Sequence, residues 1–494
     1  MKNIGRFSAA FSVVLVFSGS LVLANSSTRP DLTTKDSQRV AAVTAPTLSF
    51  DAPEKFESMQ GGAGTSRSPL DRHAFSQPLT NLSFSGREQF SLGNALFRKI
   101  WVSSPATTQA SDGLGPFFNA RGCQSCHIQD GRGHLPENDE IASSFLLHLG
   151  RYDASNKRWT GDTRYGNQLQ TAAVQGHLAE GVVNIDYTEK VVKFTDGEKL
   201  LLRRPSFSID KLAYGAMDEQ TELSPRIAPP MIGMGLLAAI SETDILFHED
   251  PKDSDGDGIS GRASRIMDEV GTRVGRFTLK AAQPDVREQS AAAFSSDMGL
   301  SSSLQPGHSG DCTAGQPHCM GAPHGEQARL GKNEVPDELL DLVTFYSSNL
   351  APPVRRDVSD ADVLQGKALF YGAGCTGCHV PKYVTSRDAE EAHHQFQLIW
   401  PYTDLLVHDM GEELADGAGH NGGVSGEEWR TPPLWGIGLT KTVNERATWL
   451  HDGRARSLLE AVMWHGGEAE RARNVVLAMP GQQRKQLIRF LESL

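Results

Sequence analysis

After residue 24 the chain lacks any run approaching the roughly 20 apolar residues that a membrane span needs. No later segment is therefore expected to cross a bilayer. An excess of positive charge is also missing: 48 Lys and Arg stand against 60 Asp and Glu, a formal net charge of −12. An acidic chain of this kind argues against nucleic acid as a partner. Cysteine is scarce, with six in 494 residues. None stands at the candidate leader cleavage site, which argues against a lipid-anchored protein. What is present is 38% hydrophobic residues with 49 Gly, the composition of a loop-rich globular protein. The length exceeds what one core supports and implies two or three domains.

Four of the six cysteines fall in two copies of one motif. Cys123-Gln-Ser-Cys126-His127 and Cys375-Thr-Gly-Cys378-His379 are both C-x-x-C-H. That pattern reads as attachment of a c-type haem. Two thiols reach the two vinyl groups on one edge of a porphyrin, and the adjacent His ligates iron from the proximal side. A zinc ribbon would place its pairs about 15–20 residues apart. Here they are 249 positions apart, from 126 to 375, and a His follows each. A thioredoxin-like dithiol needs a βαβ context that neither motif shows. A disulfide within each C-x-x-C would explain neither His. Two haem c groups are the expected cofactors.

Residues 1–24 read as a secretory signal peptide, with Lys2 and Arg6 before an apolar stretch and Val22-Leu23-Ala24 before the cleavage point. A retained anchor is the alternative. Export fits c-haem attachment, so a periplasmic location is expected. Residues 25–85 are rich in Ser, Thr, Pro and Gln, and read as a flexible N-terminal arm. A repeat then appears. Gly93-Asn-Ala-Leu-Phe97, in a stretch 92–101 that looks helical, precedes the first motif, and Gly366-Lys-Ala-Leu-Phe370 precedes the second. Leu339, Leu342, Val343 and Tyr346 close the first half at i, i+3, i+4, i+7, and Leu487, Phe490, Leu491 and Leu494 close the second. An opening helix, a C-x-x-C-H and a closing apolar helix describe a cytochrome c unit. The expected fold is mainly α: two cytochrome c-like haem units at 86–350 and 354–494, joined at Ala351-Pro-Pro353. The first carries a long mixed α/β and loop insertion near 150–330, with β structure suggested at Lys190-Val-Val-Lys-Phe194.

Within the insertion, Asp253, Asp255 and Asp257 with Gly258 form the first half of an EF-hand-type calcium loop. Position 12 is Ser264 and lacks the bidentate carboxylate. Asp250, Asp268 or Glu269 could supply it, or the stretch is an Asp/Gly turn without an ion. Cys312 and Cys319 are expected to form a local disulfide in an oxidising compartment.

The sixth ligand decides between a low-spin electron carrier and an iron open to peroxide. For the second haem, Ser457-Leu-Leu-Glu460 reads as a capping box that starts a short helix. Leu458, Ala461, Val462 and His465 follow on one face, so His465 is the leading candidate, ahead of His408 and Met410. For the first haem, His134, His148, His177, Met231, Met234 and an open position remain alternatives. The axial set expected for the irons is thus His127, His379 and His465.

The blocks Asp112-Gly-Leu-Gly-Pro-Phe-Phe-Asn-Ala120, Asp257-Gly-Ile-Ser-Gly-Arg262, Pro401-Tyr-Thr-Asp-Leu405, His408-Asp-Met-Gly411, Trp429-Arg-Thr-Pro-Pro-Leu-Trp435, His451-Asp-Gly-Arg-Ala455 and Trp464-His-Gly-Gly-Glu-Ala469 resemble the bacterial dihaem oxidoreductases grouped as peroxidases. These are distant relatives of dihaem cytochrome c peroxidases and of the methylamine dehydrogenase maturase. In the peroxidases a similar His-Asp-Gly element is followed by an axial Met, and in the maturase by a Tyr. His465 stands at the corresponding place, so the resemblance supports it while changing the ligand type. The function expected is reduction of peroxide with electrons from a small redox donor protein. The alternatives are a non-enzymatic dihaem electron-transfer protein, or a redox-sensing partner in metal uptake.

Overall fold

The computed structural model describes residues 29–494 apart from 138–143, 156–157, 270, 327–331 and 418–422. The leader expected at 1–24 lies outside these residues. Helix accounts for 30% and strand for 18%, so the chain is a mixed α/β protein rather than a mainly α one. The difference comes from the insertion and from short two-stranded ladders in both halves.

Two helix pairs organise the molecule. In the first half α1 (Phe84–Phe97) packs on α3 (Asp337–Ser348), and α2 (Val286–Met298) lies beside α3. In the second half α4 (Ala361–Gly372) packs on α6 (Gly481–Ser493), with α5 (Leu458–Trp464) beside α6. Side-chain caps start four of these helices. Ser83 accepts the Gly86 N–H, Asp285 that of Glu288, Asp360 those of Asp362 and Val363, and Ser457 that of Glu460. The reciprocal half of the box expected at Ser457 is shifted, because Glu460 accepts from the Arg456 N–H instead. The helix expected over 92–101 begins earlier and stops at Phe97, where the Trp101 N–H turns to the Arg121 carbonyl at 2.8 Å.

The sequence repeat is a structural one. A Cβ on Gly93 would meet the Leu342 carbonyl oxygen at 2.3 Å, and one on Gly366 would meet the Gln486 oxygen at 2.0 Å. Each glycine lets an opening helix cross against the backbone of its closing helix. One turn on, Phe97 lies 5.1 Å from Tyr346 and Phe370 lies 5.1 Å from Phe490, ring centre to ring centre. The closing helices bury the faces their spacing implies, with Leu340 rather than Leu339 inside in α3.

Two antiparallel pairings dominate the insertion. β1 (Phe145–Asp153) pairs with β4 (Glu222–Ile227), and β2 (Val182–Lys193) with β3 (Lys199–Asp210) in a long hairpin. The end of that hairpin reaches the second half. Phe194 and Leu202 join the core of α4 and α6, and Arg203 donates to the Gly453 and Arg454 carbonyls.

The arm expected at 25–85 is not loose. Thr34–Thr44 is helical, and Glu57, Gln60, Thr65 and Ser66 are buried. Glu57 pairs with Arg355 and Lys367, and Glu54 with Lys367 and Lys382. These carboxylates neutralise cations buried in the second half, and their polarity makes the segment look solvated in sequence.

Gly366→Ala is expected to cost about 1–3 kcal/mol or more through overpacking against the Gln486 carbonyl. Gly372→Ala, whose Cβ would meet nothing within 4 Å, is expected to be neutral or slightly stabilising. Denaturant titration of the two variants checks the contrast.

Candidate haem sites

Both motifs fold as a single tight turn, with the first at Cys123–Cys126 and the second at Cys375–Gly377. A turn brings positions i and i+3 to one side, which aims the two sulfurs of each pair together. The His127 N–H donates to the Cys123 carbonyl and the His379 N–H to the Cys375 carbonyl, both at 3.0 Å. The imidazoles then repeat one arrangement. His127 Nδ1 lies 2.8 Å from the Pro229 oxygen, and His379 Nδ1 lies 2.9 Å from the Tyr402 oxygen. Phe97 and Phe370 stand at 6.2 Å from the respective His rings. A carbonyl partner fixes Nδ1 as the N–H and turns Nε2 away as a lone-pair donor, the tautomer that metal ligation needs.

Burial pushes the His127 pKa down, against the hydrogen bond that its Nδ1 donates to the Pro229 carbonyl. His379 is pushed down to about 4, first by burial, with a further lowering from His465. His465 is one residue past the end of α5 rather than on its face, and its Nδ1 lies 2.7 Å from the Ala461 oxygen. Its pKa is also lowered, chiefly by burial. Two neutral imidazoles are thus present, each with Nδ1 engaged.

His408, the rival ligand, is consumed elsewhere. Its Nε2 lies 2.8 Å from Asp404 and its Nδ1 2.7 Å from Glu468, in a buried cluster beside Cys378. Burial opposes a charge there, yet the Asp404 carboxylate holds the imidazole well above its usual range. Both carboxylates are correspondingly lowered, against their own desolvation. Met410 packs at the edge of the second core, and its backbone borders Gly466. Of the first-haem candidates, Met231 is buried two residues past Pro229, and His134 Nδ1 meets Asn444 Nδ2 at 3.2 Å. His148 lies in β1 opposite Ser224, His177 stands edge-on to Phe117, and Met234 opens a short helix.

His127, His379, His465, Arg132 and Asp297 are enclosed by protein, yet each side chain keeps accessible surface. Burial pushes Arg132 and Arg430 down to about 10, and among the described residues their hydrogen bonds run to carbonyls. Such guanidinium groups suit an anionic substituent. The buried Trp464 Nε1 and Tyr402 hydroxyl also find no partner among the described residues. Thiols, neutral imidazoles and guanidinium groups without a carboxylate partner among the described residues are together what a haem with its propionates requires.

Two further features escaped sequence reasoning. Burial pushes the Cys123 and Cys126 thiols up, and Asp297, at the end of α2, raises them further. Its own carboxyl is pushed up to about 6 by burial. Trp429 lies stacked on His451 at 3.8 Å, with Lys280 Nζ 3.7 Å and Arg226 4.7 Å over its ring. Asp416 pairs with both cations. The Trp429-to-Trp435 block marked this region, but only the fold supplies Arg226 and Lys280 from the first half.

The remaining expectations divide. Cys312 and Cys319 form a disulfide with Cα atoms 5.9 Å apart, and the motif cysteines take no part in it. The Asp253, Asp255 and Asp257 carboxylates converge, but Asp253, Asp255 and Asp257 each accept a backbone N–H of the loop. Ser264 is buried away at position 12, and Asp268 is tied to Arg273.

Residues 57–146 and 165–494 match the family described as "Di-haem oxidoreductase, putative peroxidase". The chain belongs to that di-haem oxidoreductase family. A search of curated proteins found no match. Among solved structures, hydrazine synthase of Kuenenia stuttgartiensis is similar at 12% identity and a TM-score of 0.31, over 91% of this chain and 95% of that one. That likeness is too weak to carry an argument.

His408→Leu is expected to cost about 3–5 kcal/mol at neutral pH, because it leaves two buried carboxylates without their cation. The raised His408 pKa contributes stability that is complete below about 6.5 and is lost only as pH climbs through its folded value. The depressed Asp404 and Glu468 contribute above about 4 and lose it as pH falls. The deficit of the variant should therefore shrink on acidification as both carboxylates protonate. Unfolding curves at pH 7 and pH 5 measure it.

Proposed function

We propose that this chain is a periplasmic c-type dihaem oxidoreductase that reduces peroxide with electrons from a small donor protein. Cys123 and Cys126 would attach one haem and Cys375 and Cys378 the other, each unit being a cytochrome c-like haem unit. His127 and His379 would be the proximal ligands, and His465 the sixth ligand in the second unit. The single observation that carries this reading is the His379 and His465 pair. Burial pushes both pKa values down, His465 lowers that of His379 further, and both have Nδ1 held by a carbonyl.

Haem, when bound, supplies one-electron chemistry and, where an iron position is open, a place for the oxidant. The protein supplies the rest. The Pro229 and Tyr402 carbonyls hold the imidazole N–H groups and so orient each Nε2. Arg132 and Arg430 offer cations to the propionates. Asp297 holds or releases a proton at its carboxyl near neutral pH, while Gln168 Nε2 donates to it at 2.9 Å and fixes its direction. It is the carboxyl beside the first motif best suited to general acid–base work on a peroxide.

Peroxide reduction requires an open iron, which this reading assigns to the first unit, so the two units predict different spectra. Electron paramagnetic resonance of the haem-loaded protein should show a low-spin signal from the second unit and a high-spin ferric signal from the first. His465→Ala should convert the low-spin signal to high spin. Asp297→Asn should lower peroxide turnover by roughly 10²–10⁴-fold with the haem spectrum unchanged. Two low-spin signals in both the oxidised and the half-reduced protein, with no turnover, would instead identify an electron-transfer protein.

A further inference from the structure

A second cluster of ligating side chains lies away from both motifs. His308 follows α2, and His324 and Glu326 follow the loop closed by the Cys312–Cys319 disulfide. The two imidazoles stack at 4.6 Å with an interplanar angle of 22°. His308 Nε2 lies 3.7 Å from Glu326 Oε2. One ligand atom from each of the three residues falls within 4.8 Å of the others. In a tetrahedral site with bonds of about 2.0–2.1 Å, ligand atoms sit roughly 3.4 Å apart. The cluster needs only a small contraction to reach that spacing.

The independent observation is behind His308. Its Nδ1 lies 3.1 Å from Glu334 Oε2 and 3.0 Å from Ser301 Oγ. Glu334 has a fully buried side chain, and its carboxylate also takes the Ser301 N–H at 2.9 Å and the Gly325 N–H at 3.0 Å. A carboxylate fixed in this way sets the tautomer of His308 and presents Nε2 outward. That is the arrangement by which metal-binding imidazoles are oriented. The Gly325 bond ties the same carboxylate to the segment that carries His324 and Glu326. A stacked pair of imidazoles needs no such support for packing alone.

We propose that His308, His324 and Glu326 bind a divalent transition-metal ion of the zinc type, with Glu334 as the positioning residue. Two imidazoles and one carboxylate leave a fourth position for water or a small ligand. Imidazole donors favour zinc, copper or nickel over calcium or magnesium. The site is coupled to the first haem unit through the backbone. Gly113, at φ +101°, rests on Glu334 and Gly325, and a Cβ there would lie 2.5 Å from Glu334 Cγ. Gly113 belongs to the loop that leads into Cys123.

The test uses the tag-free, haem-loaded full chain dialysed against Zn²⁺, with bound zinc counted by plasma mass spectrometry. One zinc per chain is expected, bound at micromolar concentration or tighter. His308→Ala with His324→Ala should abolish it. Glu334→Gln should weaken it roughly 10- to 100-fold, and His318→Ala should leave it unchanged. His324→Ala alone, at an exposed ring, serves where the double variant does not fold. Absence of stoichiometric zinc in the wild type, or zinc retained when His308 and His324 are replaced, overturns the proposal.

Discussion

The structure depends on a hydrogen bond made twice, from a buried imidazole N–H to a backbone carbonyl. Pro229 holds His127 and Tyr402 holds His379, in each case across a long stretch of chain. A buried imidazole without a partner would leave a polar nitrogen unsatisfied and the ring free to turn. With Nδ1 engaged, burial can keep the ring neutral and leave Nε2 directed. The opening and closing helices exist around this requirement. Their glycine-mediated crossing places a Phe against each His ring, and the same crossing sets the position of the C-x-x-C turn.

Charge is managed differently in the two halves. The second half buries Lys367, Lys382 and Arg355, and relies on Glu54 and Glu57 from the N-terminal segment to neutralise them. It also buries an imidazolium between two carboxylates at His408. Between the halves, Asp416 balances Arg226 and Lys280 around Trp429. Buried ion pairs of this kind add little net stability but are costly to break. They hold the two units and the N-terminal segment in one arrangement, which two separately packed cores would not enforce.

What could be read in advance follows from the range of each interaction. The two motifs, the helix start at Ser457 and the heptad-like closing helices are local patterns, and they were legible. So were the family blocks and the Cys312–Cys319 pair. The long hairpin was visible only as one alternating fragment at Lys190-Val-Val-Lys-Phe194, because most of its side chains face solvent on both surfaces. The order of residues 34–82 was hidden because its anchoring residues are carboxylates whose partners lie about 300 positions away. His465 ranked ahead of His408 in the sequence, but only the fold shows that Asp404 and Glu468 occupy both His408 nitrogens. Asp297 carried no motif at all.

The most direct measurement is the mass of the denatured mature protein, taken together with its pyridine haemochrome spectrum. Covalent attachment at both motifs predicts a chain that keeps two haems after denaturation and shows the c-type spectrum. Cys378→Ala and Cys126→Ala should each weaken the attachment of one haem and leave the other intact. A bare polypeptide mass with four reactive motif thiols, from protein matured in a host competent for haem attachment, would contradict the account at its base.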